Sequence, residues 1–259
     1  MEILFDRRDT LFVITFNRPE NGNAYTATMA GMLSEKLKSI NEDRSIRAIL
    51  MCGQGDHFMN GHDMNMYIGS PTAVQEKIYH KVQFFNHTVR ELQGMDRPVI
   101  AAVKGRVSGA GLSLMLASDL VIAAHGTVFN SDYIPYAMVP DGGTAFFLAR
   151  KMGAAKASEI LLLSEDFTAE QAESWGLVNR VVAGDALQAE ATAWATKLAT
   201  GATRTLGMTK RLIAKAFEQD LNAHLGVEAA CVATNTKSLD FAEAMKAFSA
   251  KRPAKFIGG

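Results

Sequence analysis

The chain predicts an α/β fold with a largely parallel sheet, on three observations. Short β-branched runs bounded by turn residues recur through its first half. Stretches with apolar residues at helical spacing separate them. After about Ala154 the strand-like runs give way to successive helical patterns. Strand, helix and strand in repetition call for parallel pairing through right-handed crossovers.

In order, residues 11–16 and 48–52 read as short apolar strands. Between them, residues 26–41 carry Met29, Met32, Leu33, Leu37 and Ile40 on one helical face. Residues 99–103 and 120–124 are continuous apolar runs, as expected of strands covered on both faces. Helical patterns then follow at 155–163, 169–175, 186–200, 206–219 and 221–233. Residues 164–167 and Gly201-Ala202 read as loops, not domain linkers, and no internal repeat or low-complexity stretch interrupts the chain.

With 259 residues, 48% of them hydrophobic, the chain can bury the core of one large α/β unit. Lys+Arg and Asp+Glu both number 27, so no net field draws the protein to nucleic acid or an anionic membrane. Cys52 and Cys231 form neither a disulfide framework nor a metal pattern, which points to a reduced, cytoplasmic setting. Met1-Glu2-Ile3 opens directly into a strand-like segment, so no targeting peptide is expected. No apolar run approaches the roughly 20 residues that span a bilayer, and Ile257-Gly258-Gly259 is not a peroxisomal tail.

The most informative stretch is 98–150, where two glycine turns flank an apolar helix and strand. Ser108-Gly109-Ala110-Gly111 precedes a helical pattern at Leu112, Leu114, Met115 and Leu116. Small residues there admit a ligand close to the backbone, and the free N–H groups of a helix start can hold a thioester oxygen that gains negative charge. The second turn, Val139-Pro140-Asp141-Gly142-Gly143-Thr144, carries one acid. Asp141 reads either as a helix cap or as a reactive carboxylate. The roles can coexist, although an acid engaged by N–H groups has a lowered pKa. His57, His62 and Asp63 together invite a metal reading.

Several motifs, in this order and spacing, resemble the crotonase (enoyl-CoA hydratase/isomerase) superfamily over nearly the whole chain. They are Phe16-Asn17-Arg18-Pro19 with Asn23-Ala24, the Gly53–Phe58 turn leading to Gly61-His62-Asp63-Met64, the segment from Arg97-Pro98 to Gly105, Ala117-Ser118-Asp119-Leu120, and Trp175-Gly176-Leu177-Val178-Asn179. The resemblance implies a spiral of ββα repeats over 1–195. A C-terminal helical region, 196–259, then serves oligomerisation and coenzyme A binding in a homotrimer or hexamer. The ligand would be an acyl-CoA thioester, with coenzyme A part of the substrate and no separate cofactor. The matching loop holds no metal in relatives, so none is expected at His62 and Asp63.

By the same resemblance, the amides of Asn60 and Ala110 would form the oxyanion hole. Arg18, Ala24, Gly61, His62, Asp63, Met64, Gly109, Lys255 and Phe256 would contact the thioester or its nucleotide. Hydratases of the family use two glutamates, and here Ser113 and Tyr133 stand at those positions, with Asp132 one residue away. That disfavours simple hydration. Asp141 matches the single acid of 3-enoyl-CoA isomerases, dienoyl-CoA isomerases and 4-chlorobenzoyl-CoA dehalogenases. The expected activity is therefore 3-enoyl to 2-enoyl isomerisation by one base. Alternatives are ring isomerisation, dehalogenation, an atypical hydration, or acyl-CoA binding without turnover. Tyr133 is expected to donate to Asp141 or shape the acyl pocket beside Tyr136, and His87 to be a surface or pocket-wall residue.

Overall fold

The computed structural model describes residues 1–259. The chain opens with an antiparallel hairpin of β1 (Ile3–Arg8) and β2 (Leu11–Phe16), followed by α1 (Ala27–Glu42). The Thr26 hydroxyl starts that helix by accepting the Met29 N–H. Then come β3 (Ala48–Gly53), β4 (Met59–Asn60), α2 (Pro71–Gly94), β5 (Val99–Val103), β6 (Arg106–Ser108), α3 (Ala110–Leu116), β7 (Leu120–Ala124) and β8 (Val128–Asn130). The rest is α4 (Thr144–Met152), α5 (Ala154–Leu163), β9 (Phe167–Thr168), α6 (Ala169–Ser174), β10 (Arg180–Val182), α7 (Leu187–Ala199), α8 (Thr203–Lys215), α9 (Leu221–Asn235) and α10 (Leu239–Ser249).

Two sheets follow from this winding. The larger has the order β1-β2-β3-β5-β7-β10 and is parallel from β2 onward. Alternate residues of its strands face opposite layers. Ile49, Met51, Ala101 and Val103 join the main core with α1, α2 and α3. Ala48, Leu50, Ile100 and Ala102 pack instead against Leu187, Ala191, Ala195 and Ala199 of α7. The i, i+4 alanine stripe lets that helix lie close to the sheet.

The smaller sheet, β4-β6-β8-β9, positions the site. Its first three strands are parallel rungs in register, Asn60 opposite Ser108 and Ser108 opposite Asn130. Each rung ends in a loop that faces the same cleft. The periodicity of the sequence does not reveal these rungs, because two or three residues are too few to show a pattern. The boundary expected at 195/196 falls inside α7, which runs unbroken from Leu187 to Ala199. No helix is long and apolar enough to cross a membrane.

Candidate active site

At the end of β6 the chain turns at Gly109, with φ 46° and ψ −116°, and enters α3 at Ala110. As the first helical residue, Ala110 has no intrahelical acceptor for its N–H. The turn is pressed against the neighbouring rung. A Cβ on Gly109 would lie 3.1 Å from Gly61 Cα and 3.9 Å from the His62 amide nitrogen. A Cβ on Gly111 would lie 2.2 Å from the Met59 carbonyl oxygen.

The other expected oxyanion donor is not free. Asn60 N–H donates to Gly22 O at 2.8 Å, and Gly61 N–H donates to Ser108 O at 3.0 Å, extending the β4–β6 ladder. His62 is the first residue past the ladder, and its N–H makes no hydrogen bond within the chain. The free amide beside Ala110 is therefore that of His62, two positions beyond the expected one. The Asn60 side chain instead accepts the Ser108 hydroxyl at 2.9 Å.

Asp141 follows the last rung. Tyr133 O–H donates to its Oδ1 at 2.9 Å, and His62 Nε2 donates to Oδ1 and Oδ2 at 3.2 and 3.1 Å. The carboxylate does not cap α4. The N-cap there is Gly143, without a side-chain cap, and Asp141 contributes only its backbone carbonyl, to Thr144. Burial pushes the Asp141 carboxyl up, but the hydrogen bond and field of the His62 ring, the Tyr133 hydroxyl and Lys81 outweigh it and hold the group below the usual carboxylate range. Burial and the nearby Asp141 raise the Tyr133 phenol, which stays protonated and donating.

Ser113 does not face the cleft. It is wholly buried, 2.6 Å from Thr144 Oγ1 and 3.3 Å from the Tyr133 hydroxyl, and it holds that tyrosine from beneath. Tyr133→Phe is expected to lower turnover about tenfold through loss of one charge-assisted hydrogen bond to the acid. Unchanged kcat in steady-state assay would discard that polar role.

A cavity of about 230 Å3 opens on this arrangement. Ala24, Asn60, Gly61, His62, Asp63, Met64, Gly109, Tyr133 and Tyr136 line it, and Asp141 is held by two of these residues. Arg18 turns away, donating to Ala24 O at 2.8 Å and to Asp63 at 3.1 Å. Its charge is already paired with that carboxylate. Asp132 pairs with Arg106 at 3.1 Å and does not replace the missing glutamate. His87 is a partly exposed surface residue 4.0 Å from Glu91. Lys255 and Phe256 lie elsewhere in the chain. Lys255 N–H donates to Glu243, and Phe256 O accepts from Arg47.

Four contributors escape the sequence reading. The Tyr25, Tyr67 and Phe85 rings surround the His62 ring at centroid distances of 5.9, 6.4 and 5.7 Å. Lys81 is buried beside Tyr67. Its position on the face of α2 that buries Phe85, Thr88, Val89 and Leu92 was a signal available in the spacing.

A glycine-turn helix start set beside a second free amide, on stacked parallel rungs, is the architecture of the crotonase superfamily. The chain belongs to the enoyl-CoA hydratase/isomerase family, whose sequence model matches residues 6–259. It is 36% identical to a 1,2-epoxyphenylacetyl-CoA isomerase of Escherichia coli K12 over 96% of this chain and 95% of that protein. It is 28% identical to 4-chlorobenzoyl coenzyme A dehalogenase-2 of an Arthrobacter species, over 96% and 91% respectively. The solved structure of an enoyl-CoA hydratase from Bacillus anthracis superposes with a TM-score of 0.94 at 27% identity, covering both chains completely.

Proposed function

We propose that the protein isomerises 3-enoyl-CoA to 2-enoyl-CoA thioesters with Asp141 as its single base. The observation that carries this reading is one partly buried, ionised carboxylate held by two donors beside a pair of free amides, with Ser113 and Tyr133 where a hydratase carries its glutamates. The thioester carbonyl oxygen accepts from His62 N–H and Ala110 N–H. Asp141 takes a proton from the α carbon, and that electron pair moves through the carbonyl to leave a dienolate oxygen between the amides. The same proton, now on Asp141, returns at the γ carbon, shifting the double bond into conjugation. Nothing is consumed, and no group beyond the coenzyme A of the substrate is required. We read the exposed apolar residues Ile213 of α8, Leu221 and Leu225 of α9, and Phe217 in the turn between them, as the surface by which three copies associate.

A second reading rests on the Escherichia coli relative and on the aromatic wall around His62. Both favour an isomerase acting on a ring-bearing acyl-CoA through the same acid. A panel of aliphatic 3-enoyl-, 2-enoyl-, aryl- and ring-epoxide CoA thioesters, assayed with native protein, separates the readings. Hydration of 2-enoyl-CoA without any isomerisation would overturn both.

The base must be ionised to act, so activity is lost as pH falls through the Asp141 pKa. Because that pKa is held below its ordinary value of about 3.9, the acidic limb of kcat/KM lies below about pH 4. His62→Gln removes the imidazole field and moves the limb to higher pH. The Asp141 contribution to stability has the same sign: it is present above the unfolded pKa and lost as pH falls through the folded one. A limb that stays in place in the variant would show that the His62 ring does not set the charge of the acid.

A further inference from the structure

Lys81 is 4% exposed, on a helix face otherwise given to apolar side chains. A buried ammonium is costly unless an anion compensates it, and no carboxylate pairs with this one. Its Nζ donates to the Tyr67 hydroxyl at 3.2 Å and lies 5.0 Å from the centre of that ring. Asp63 is bound by Arg18, and Asp141 by His62 and Tyr133, so both acids act on Lys81 only from a distance. Burial pulls the ammonium down to about 8 despite them. Lys81 keeps unused N–H groups, and the Tyr67 O–H donates to nothing in the chain. The pair offers donors and has no acceptor.

Lys81, to which the Tyr67 hydroxyl is hydrogen-bonded, borders a cavity of about 510 Å3 between α1, α2 and the Met64–Tyr67 turn. Ala30, Gly31, Met66 and Phe84 give it apolar walls, Lys77 and His80 add basic groups, and no acid lines it. The Tyr67 ring also packs edge-on to His62, with centroids 6.4 Å apart, so one aromatic ring links this place to the thioester clamp. An aliphatic acyl end here would strip water from the ammonium and return no hydrogen bond. An acyl end bearing a carboxylate would supply the missing acceptor through charge-assisted bonds.

We propose that Lys81 and Tyr67 form a carboxylate-recognising subsite for the distal end of the acyl group, so that the preferred substrates are acyl-CoA thioesters with a terminal carboxylate. The proposal rests on the cleft taking an acyl-CoA, as argued above. Two saturated thioesters of equal chain length, one ending in a methyl group and one in a carboxylate, are titrated calorimetrically into the protein. The carboxylate-ended ligand is expected to bind about 10- to 100-fold more tightly. Lys81→Met erases that preference and keeps the methyl-ended affinity, and Tyr67→Phe reduces the preference while retaining the ammonium. Equal affinities in the native protein, or a preference that survives Lys81→Met, overturn the proposal. Should Lys81→Met fail to fold, the native comparison and Tyr67→Phe decide it, an unreduced preference in Tyr67→Phe counting against the subsite. The titration involves no turnover, so isomerase activity retained by Asp141→Asn would sink the single-base reading and leave this one standing.

Discussion

Asp141→Asn is expected to lower kcat/KM for 3-enoyl-CoA by about 10²- to 10⁴-fold, the range of a positioned general acid–base group. The amide has the shape of the carboxylate, and its oxygen can still accept from Tyr133 and His62, so the fold and thioester affinity persist. What disappears is the carboxylate proposed as the base. Steady-state kinetics, paired with titration of a saturated thioester, separates loss of chemistry from loss of binding. Wild-type turnover in the variant would remove Asp141 from the reaction.

Gly111→Ala is expected to damage both stability and rate. The added Cβ would sit 2.2 Å from the Met59 carbonyl oxygen and 2.9 Å from the Met59 Cβ. The first of these atoms is backbone and cannot rotate away, so α3 must move off the β4 rung. Overpacking of this kind costs about 1–3 kcal/mol. The same displacement carries the Ala110 amide out of line with that of His62, and loss of one oxyanion donor lowers kcat about 10²- to 10³-fold. Denaturant unfolding and turnover, measured on one preparation, are expected to fall together. A variant with native kcat would show that the start of α3 does not hold the carbonyl.

The long strands and α1 were legible because burial imposes periods that a run of five or more residues displays. The rungs β4, β6 and β8 were not, although they carry the site: two or three residues have no period. Asp141 was visible as the lone acid of a glycine turn, but its bond to His62 spans 79 residues and leaves no trace in local spacing. The resemblance places a donor at Asn60, whereas only hydrogen-bond accounting shows that amide given to Gly22 O and the His62 amide left free. Ser113 was placed correctly on α3, yet its depth depends on Tyr133 and Thr144 closing over it. The two ends of the chain's chemistry, turn and partner, are written at different scales.

The register of the small sheet has a bearing on how this scaffold could change its reaction. Asn60, Ser108 and Asn130 stand side by side at the spacing of neighbouring strands, so the distance between the loops that carry the His62 and Ala110 amides is set by main-chain geometry and not by the choice of side chains. The side chains of Tyr133 and Asp141 lie outside that ladder and do not set its spacing. Retooling such a catalyst is an exercise in refurnishing a room whose walls are already fixed.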